Sequence, residues 1–222
     1  IFEDERVHMA VVGFPGVGKS VSYNCKILVY DSLHKELHYV PIGVFAHDFL
    51  CIPHEECSLM LGDRFYTLAV SPNGKVAWKR VTAVHVHRSP SKLIRIQTRS
   101  GCSITVTDDH SLMSVKEGAI SPVRAGLLKQ GDVLLKPSRI PPLQFNGLYI
   151  RYRPLCVSKL SKELVDAYEK ADLEVAENGI AKMHALAASE VWFDQVRSIE
   201  MVDSTHQFVY DLSVEDYENF YT

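Results

Sequence analysis

The 222-residue sequence contains no apolar run near the ~18 residues that a membrane span needs. It also has no strong excess of either charge, and a formal net charge of -3 argues against a nucleic-acid-binding protein or a membrane-surface protein. Its first residues, "IFEDERVH", are acidic where a secretory signal would be basic, so we expect a cytoplasmic protein. With 46% apolar and 23% charged residues, the composition suits one large globular domain or two small ones.

Cysteine is sparse, and no Cys-x-x-Cys pair occurs. An odd, scattered set of five predicts reduced thiols and no disulfide framework. These are Cys25, Cys51, Cys57, Cys102 and Cys156. Two of them lie near His47 and His54 in "HDFLCIPHEEC", but without a Cys-x-x-Cys anchor this stretch favours a surface loop over a zinc site. We expect neither a metal nor a cofactor.

The stretch "GFPGVGKS", from Gly13 to Ser20, fits the phosphate-binding pattern G-x-x-x-x-G-K-[ST] at every position. The strand that should precede such a loop is present in "HMAVVGF". The helix that should follow it, and whose N-terminus would face the phosphates, is missing. Val21, Tyr23 and the run 27–30 are β-forming residues without a helical period. The motif leaves open a nucleotide-binding domain or a Ser20 that begins something else.

From Phe65 onward the sequence predicts a β meander. The predicted strands are "FYTLAV", "KVAWKRVTAVHVH", "LIRIQTRS" and "CSITVTDDHSLMSV", with turns at 71–74 and 99–102. In "AVHVH", His85 and His87 share one strand face, which we interpret as an exposed face and not as a metal site. "LLKQGDVLL" predicts a turn followed by another strand.

A change of character follows Pro137. "PSRIPP" is typical of a linker, and the spacing of apolar residues predicts a helix over 161–179, capped by Ser161 and ended by Gly179. A second, shorter helix is predicted over 180–189. The β pattern returns in "VWFDQVRSIEMVD" and "QFVYDLSVEDYENFYT".

Three stretches of this β pattern together resemble a known family. "SVSYNCKILVYD" begins at Ser20, "ITVTDDHSLMSV" contains Thr107-x-x-His110, and "FVYDLSVEDYENFYT" contains Val-Tyr-Asp ending at Asp211. In this order they resemble motif blocks of inteins, the self-splicing elements of the Hint (hedgehog/intein) fold. "GKVAWK" and "TDDHSL" are most similar to inteins of archaeal DNA polymerases. The resemblance covers 20–222 and implies an all-β, horseshoe-like Hint fold with a small helical insertion.

The resemblance also implies a division of the chain. Residues 1–19 would be the end of the N-terminal flanking protein, the extein, in a host ATPase or GTPase interrupted within its P-loop. Residues 20–137 and 191–222 would form the Hint domain, and 138–190 an insert too short for a homing endonuclease and without its LAGLIDADG helices. The expected partners are the chain's own exteins, with a short C-terminal intein fragment in trans as an alternative; we expect a monomer that binds neither nucleic acid nor membranes.

The resemblance further implies a single-turnover reaction on the chain's own backbone. The Ser20 hydroxyl would attack the Lys19 carbonyl and convert the amide into an ester. His110 would protonate the Ser20 nitrogen, and Thr107 would orient the scissile carbonyl or the Ser20 backbone. Asp211 would help to activate Ser20. Gly13, Gly18 and Lys19 would bind nucleotide only after splicing had restored the host loop, while Cys25 is interpreted as a packing residue.

Two features depart from the family pattern. Glu218 stands where inteins usually have histidine, and no final block ending in His-Asn follows Asn219-Phe220, so we expect this chain to stop at the ester unless that block is supplied. His8-Met9 weakly resembles such an ending, as a circular permutation would show, but "HMAVVGFPGVGK" fits a host strand and loop better. The alternatives are a P-loop nucleotide-binding domain and a splicing-inactive Hint scaffold.

Overall fold

A computed structural model describes residues 10–12, 20–116, 119–138, 140–145, 148–150, 189–217 and 219–222. These residues form antiparallel β-structure with three short helical turns, which confirms the all-β prediction. The strands are β1 Ala10–Val12, β2 Val21–Ser22, β3 Lys26–Asp31, β4 Glu36–Pro41, β5 Cys57–Met60, β6 Phe65–Val70, β7 Val76–Arg88, β8 Lys92–Thr98, β9 Ser103–Val106, β10 Ser111–Lys116, β11 Ala119–Arg124, β12 Val133–Pro137, β13 Leu143–Phe145, β14 Leu148–Ile150, β15 Val191–Asp203, β16 Phe208–Val214 and β17 Asn219–Tyr221. The helical turns are α1 Ile42–Val44, a π-helical turn Phe45–Phe49 and a 3₁₀ turn Ala125–Leu127.

Nearly all of these strands belong to one sheet, in the order β17-β1-β10-β12-β15-β8-β9-β2-β16-β7-β6-β3-β4, with β11 on β10 and β5 on β7. The two longest strands, β7 and β15, each change partner part-way along. Residues 76–80 of β7 pair with β6 and residues 81–88 pair with β16. β15 changes in the same way from β12 to β8. These two strands therefore connect the parts of the sheet on either side of β2.

The predicted turns at 71–74 and 99–102 are present, and β8 alternates between buried and exposed residues. Gly74 and Gly101, with φ of +77° and +88°, close the β6–β7 and β8–β9 hairpins in a backbone conformation that favours glycine. In β8, Ile94 and Ile96 are buried whereas Arg95 is exposed. The main hydrophobic core forms between such inward faces, and β2 lies within it because Val21 is fully buried.

The predicted insert, residues 138–190, is described only in part. The helices predicted over 161–179 and 180–189 lie outside the described residues. The described part of 138–190 includes a two-stranded hairpin of β13 and β14, where the sequence had suggested a linker and a helical insert. The Trp78 indole N–H donates to the Pro141 carbonyl over 3.0 Å, which holds the approach to this hairpin against β7.

Two predictions about histidines were wrong. His47 does not lie in a surface loop: it is buried in the π-helical turn, because Ile42, Phe45 and Ala46 direct this turn into the core. His85 is half-buried and not on an exposed face, because β7 lies between β5 and β16 here and both His85 ring nitrogens form hydrogen bonds with hydroxyls on these strands, Ser58 and Ser213. Burial and the neighbouring charge of His87 lower the pKa of His85.

Asn219 fixes the start of β17. Its buried amide accepts a hydrogen bond from Val70 N–H and donates to Val70 C=O, both over 2.8 Å, and donates to Tyr217 C=O over 2.7 Å. Asn219→Ala leaves these backbone groups unpaired, so we expect the free energy of unfolding to fall by about 2–3 kcal/mol. Urea unfolding measures this, with the exposed Asn24→Ala expected to change stability by under about 0.5 kcal/mol. Equal losses in the two variants would contradict this role for Asn219.

Asp31, at the end of β3, makes stability depend on pH. Burial alone would raise the pKa of Asp31, but hydrogen bonds from Arg64, His34 and Leu33 outweigh burial and hold that pKa well below its usual range. Because the pKa of Asp31 is lower in the folded state than the unfolded value of ~4, its carboxylate stabilises the fold at pH values above ~4. This stabilisation is lost progressively as pH falls from ~4 towards the folded-state pKa. Asp31→Asn should therefore cost about 2 kcal/mol at pH 7, and the gap to the parent chain should narrow below pH ~4.

Urea unfolding at pH 7 and pH 3 tests this dependence. Asp203 pairs with Lys92, but 81% of the Asp203 side chain is exposed, so Asp203→Asn serves as the surface control and should have little effect at either pH. If the difference in free energy of unfolding between Asp31→Asn and the parent chain did not change with pH, the Asp31 carboxylate charge would not be what stabilises the end of β3.

Candidate active site

Ser20 lies immediately before β2, which is only two residues long and is inserted between β9 and β16. Val21 pairs with Val106 on one side and with Tyr210 on the other. Continuing this antiparallel register by one position places Ser20 between Thr107 and Asp211. Ser20 is fully buried, so the two neighbouring strands enclose the residue for which the resemblance implies the role of acyl acceptor.

The backbone of Ser20 is held at both ends by Thr107. Ser20 N–H donates to Thr107 Oγ1 over 3.1 Å, and Thr107 N–H donates to Ser20 C=O over 2.9 Å. The Ser20 hydroxyl, in contrast, has no hydrogen-bond partner among the described residues. A buried polar group without a partner costs free energy, and such groups often serve a reaction. The arrangement thus fixes the peptide plane at Ser20 and leaves its Oγ uncommitted within the described structure.

A tight turn brings His110 back towards Thr107. His110 N–H donates to Thr107 C=O over 3.1 Å, and the two positions between them are Asp108 and Asp109, a residue type that favours turns. His110 is fully buried. The Thr-x-x-His spacing therefore corresponds to one β-turn, with the threonine bonded to Ser20 and the histidine beginning the approach to β10.

A second segment holds this turn from outside. Ala125 N–H donates to His110 C=O over 2.6 Å, and Gly126 N–H donates to Asp108 C=O over 2.9 Å. Arg124 forms an ion pair with the Asp108 carboxylate. A Cβ atom at Gly126 would meet the Asp108 carboxylate, so glycine at this position leaves room for that side chain in its present orientation.

The other residues singled out from the sequence lie in β16, just before β3, or outside the described residues. Asp211 is half-buried in β16, and its Oδ1 accepts a hydrogen bond from Leu212 N–H over 2.9 Å. Cys25 is partly buried, its thiol donates to Thr105 C=O over 3.4 Å, and burial raises the pKa of that thiol, which suits the packing role. Lys19, Gly13 and Gly18 lie outside the described residues, as does Glu218.

Across the ranges that the structure describes, no group of three or more histidine, cysteine or acidic side chains is arranged to hold a metal ion. Over the same ranges, no helix combines the length and the apolar character needed to cross a bilayer.

The family model described as an intein splicing domain matches residues 59–222, which is most of the chain. The chain belongs to the intein family. The archaeal-type intein predicted from the sequence is confirmed, and the match to an intein splicing domain supports autocatalytic protein splicing. The nucleotide-binding alternative is not favoured.

Solved structures show the same fold as this intein. The transcription factor IIB Mvu mini-intein superimposes with a TM-score of 0.63 at 19% identity, covering 90% of this chain and 94% of that one. The PabCDC21-1 intein gives a TM-score of 0.59 at 16% identity, covering 92% of this chain and 94% of that one. At these identities the likeness shows the fold alone, and it confirms the Hint fold.

Sequence relatives of this intein are much longer proteins. The DNA-directed RNA polymerase subunit Rpo1C of Methanocaldococcus jannaschii is 33% identical over 137 residues, which are 59% of this chain and 16% of that protein. The DNA polymerase of Thermococcus litoralis is 30% identical over 135 residues, which are 58% of this chain and 8% of that protein. The chain thus spans less than a fifth of the length of these relatives.

Sequence reasoning missed one network beside the intein's site. His47 Nδ1–H donates to Ile52 C=O, and His47 Nε2 accepts from the Tyr210 hydroxyl, each over 2.7 Å. Burial, together with the charge of Tyr23, raises the pKa of Tyr210 to about 12, so its hydroxyl stays protonated and able to donate. Tyr210 pairs with Val21 and precedes Asp211, so this network supports the strand that flanks Ser20.

The residues that hold the His110 turn were missed too. Arg124, Ala125 and Gly126 lie before "LLKQGDVLL" and carry no motif of their own. The one available signal was that Arg124 and Gly126 stand directly before "LLKQGDVLL", which by itself predicts only a turn and a strand.

Proposed function

We propose that this intein begins splicing at the Lys19–Ser20 bond by an acyl shift to Ser20. The observation that carries the proposal is the state of Ser20: it is fully buried, Thr107 holds both its N–H and its C=O, and its hydroxyl has no hydrogen-bond partner among the described residues. A nucleophile held in one orientation and left free to react is what an intramolecular attack requires.

The shift exchanges one bond for another. A C–O bond forms between the Lys19 carbonyl carbon and Ser20 Oγ, and the C–N bond between Lys19 and Ser20 breaks. The Ser20 hydroxyl loses its proton, and the Ser20 nitrogen gains one. The product is an ester on Ser20 with a free amine at the same residue. Because amine is a poor leaving group, the nitrogen must be protonated as the bond breaks. His110, one turn from Thr107, is the residue that supplies this proton.

Thr107 acts as a positioning residue in this scheme. Its Oγ1 accepts from the nitrogen that departs, so it fixes the peptide plane and can keep its contact with that nitrogen after the bond has broken. Asp211, on the strand opposite Thr107, assists the activation of Ser20. Ser20, Thr107 and His110 are all buried, so bulk water is kept from the ester until the next nucleophile arrives.

The proposal extends to the flanks. Residues 1–19 belong to a host whose P-loop is interrupted after Lys19, and joining Lys19 to a downstream hydroxyl residue completes that loop. Gly13, Gly18 and Lys19 then contribute to nucleotide binding in the host and not in the intein. We further propose that the intein acts as a monomer, with a C-terminal block supplied in cis or in trans.

Treatment with hydroxylamine near neutral pH tests the acyl shift. Hydroxylamine cleaves an ester on Ser20 and should release residues 1–19 as a C-terminal hydroxamate and residues 20–222 with a free Ser20 amine, both identified by mass spectrometry. The Asn-Gly bonds at 73–74, 146–147 and 178–179 are also sensitive to hydroxylamine because they form succinimides. They give fragments of other masses and serve as an internal reference. Cleavage at these three Asn-Gly bonds without cleavage at 19–20 would contradict the proposal and favour an inactive scaffold.

A further inference from the structure

A pocket of about 420 Å³ lies where three segments of the intein meet: the turn between β8 and β9, the turn before β12, and an irregularity in β15. Its volume falls within the range of ~300–1,000 Å³ that is usual for small-molecule sites. The lining residues are Arg99, Gln130, Gly131, Val196 and Arg197. None of them takes part in the proposed acyl shift, so this pocket has no role assigned to it so far.

Hydrogen bonds hold the three segments of the pocket together. Arg99 N–H donates to Gln195 C=O, and Gly131 N–H donates to Val196 C=O, each over 2.9 Å. Val196 N–H donates to Asp132 C=O over 2.7 Å, and the Gln195 side-chain amide donates to Gly131 C=O over 3.0 Å. The walls of the pocket are therefore fixed by the fold itself, and a ligand would not have to order them.

The irregularity in β15 explains why Arg197 lines the pocket. The register of β15 with β8 includes Val196 and Ser198 but passes over Arg197, which is the extra residue between them. An extra residue in one strand interrupts the alternation of the two faces and redirects a side chain. Arg197 and Arg99 are both exposed, and both line the pocket. The irregularity thus brings a second guanidinium to the place where the β8–β9 turn supplies the first.

The two guanidinium groups have no acidic partner. In the part of the chain that the structure describes, neither the Arg99 nor the Arg197 side chain forms an ion pair or a hydrogen bond. The acidic residues closest to the lining segments in the sequence are already engaged. Asp132 accepts a hydrogen bond from the backbone of its own turn over 2.8 Å, and Asp194 pairs with Lys136 over 3.2 Å. Two like charges at one pocket repel each other, and a bound anion would remove that cost.

The chemistry of the lining residues selects the ligand. A guanidinium is planar and offers paired N–H donors that match the oxygens of a phosphate group. The Gln130 amide can donate as well, and the five lining residues include no carboxylate that would repel an anion. Because the arginines come from two different segments, each can bind one phosphate group. We propose that Arg99 and Arg197 form a binding site for a small polyphosphate anion, with Gln130 as a further donor.

Titration of the full chain with pyrophosphate at constant ionic strength, followed by amide NMR signals, tests this site. The amide signals of Arg99, Gly131 and Arg197 should shift together along one saturating curve. We expect a dissociation constant of roughly 0.1–1 mM, because both arginines are exposed and water and salt screen their charges. Arg99→Ala and Arg197→Ala should each raise that constant about tenfold, since each removes one set of charge-assisted hydrogen bonds.

Arg95→Ala is the matched control. Arg95 is an exposed arginine of β8 that does not line the pocket, so its loss changes the net charge by the same amount and should leave the dissociation constant within about twofold. Arg197→Lys keeps the charge but loses the planar fork, and it should weaken binding about threefold. Thermal unfolding shows that each variant is folded, and Arg197→Lys keeps the site testable where Arg197→Ala is not.

Three results would overturn the site. Signals that drift in proportion to pyrophosphate without saturating would show no binding, and equal weakening in Arg95→Ala and Arg99→Ala would show attraction to overall charge alone. A single-stranded oligonucleotide that bound more tightly than pyrophosphate at the same phosphate concentration would identify a nucleic-acid backbone as the ligand, against a small anion. None of these measurements involves cleavage at 19–20, so their outcome is independent of the proposed acyl shift.

Discussion

Ser20→Ala is expected to abolish hydroxylamine-dependent cleavage between residues 19 and 20. Alanine has no oxygen to form the ester, and Ser20 Oγ has no hydrogen-bond partner among the described residues. Folding should be unaffected, because alanine fits the buried space and removes an uncompensated polar atom. We expect the free energy of unfolding to stay the same or to rise by up to about 1 kcal/mol. A Ser20→Ala chain that is more stable than the parent but no longer cleaved would show that this site is less stable than it could be because it is built for reactivity.

The controls for this prediction lie close to Ser20. Ser22→Ala, two residues further along the chain, removes a hydroxyl whose described contact is with the Cys25 thiol at 3.5 Å, and cleavage should persist. Ser20→Cys should retain the shift, form a thioester and make the bond sensitive to added thiols. Cleavage at 19–20 that survived in Ser20→Ala would rule out Ser20 as the acyl acceptor. Loss of cleavage in Ser22→Ala would indicate that the variants disturb the strand and not the nucleophile.

His110→Ala is expected to lower the cleavage rate at 19–20 by about 10²–10⁴-fold, which is the range for loss of a positioned proton donor. The effect should not come from unfolding, because the His110 backbone bonds to Thr107 and Ala125 remain available to any residue. His110→Gln keeps the approximate size and a hydrogen-bond donor but cannot transfer a proton in this way, so it should be nearly as slow. Single-turnover time courses with hydroxylamine give the rate constants.

The matched control is His34→Gln, a histidine change at an exposed position in the turn between β3 and β4, which should leave the rate within about twofold. A role for His110 in structure alone makes a different prediction. It would lower the thermal midpoint in proportion to the rate, and His110→Gln would restore both. A folded His110→Gln chain that cleaves at the parent rate would exclude proton transfer by this side chain.

Much of the fold could be predicted from the sequence because its signals are local. β8 alternates buried isoleucines with exposed arginine, and Gly74 and Gly101 occupy the positive-φ positions of their turns. The π-helical turn at Phe45–Phe49 escaped prediction because "PIGVFAHDF" is too short to show a helical period, and its burial is decided by the core around it.

The candidate site was predicted by resemblance, and no local sequence pattern could have predicted its contacts. The Ser20–Thr107 hydrogen bond joins residues 87 apart in the sequence, and the His47–Tyr210 bond joins residues 163 apart. No local pattern encodes such pairings, because they are fixed by strand order across the sheet. The position of β1 is the clearest case: "AVV" predicts a strand but says nothing of its pairing with β10 and β17.

The central claim is that the folded intein, and not the sequence at the junction, makes the Lys19–Ser20 bond labile. Mapping the new N-termini after hydroxylamine treatment of the folded chain and of the same chain in concentrated guanidinium chloride tests it directly. We predict a fragment beginning at Ser20 from the folded chain and none from the unfolded chain, while the Asn-Gly bonds are cleaved in guanidinium. A Ser20 terminus that appeared equally under both conditions, or under neither, would contradict the account.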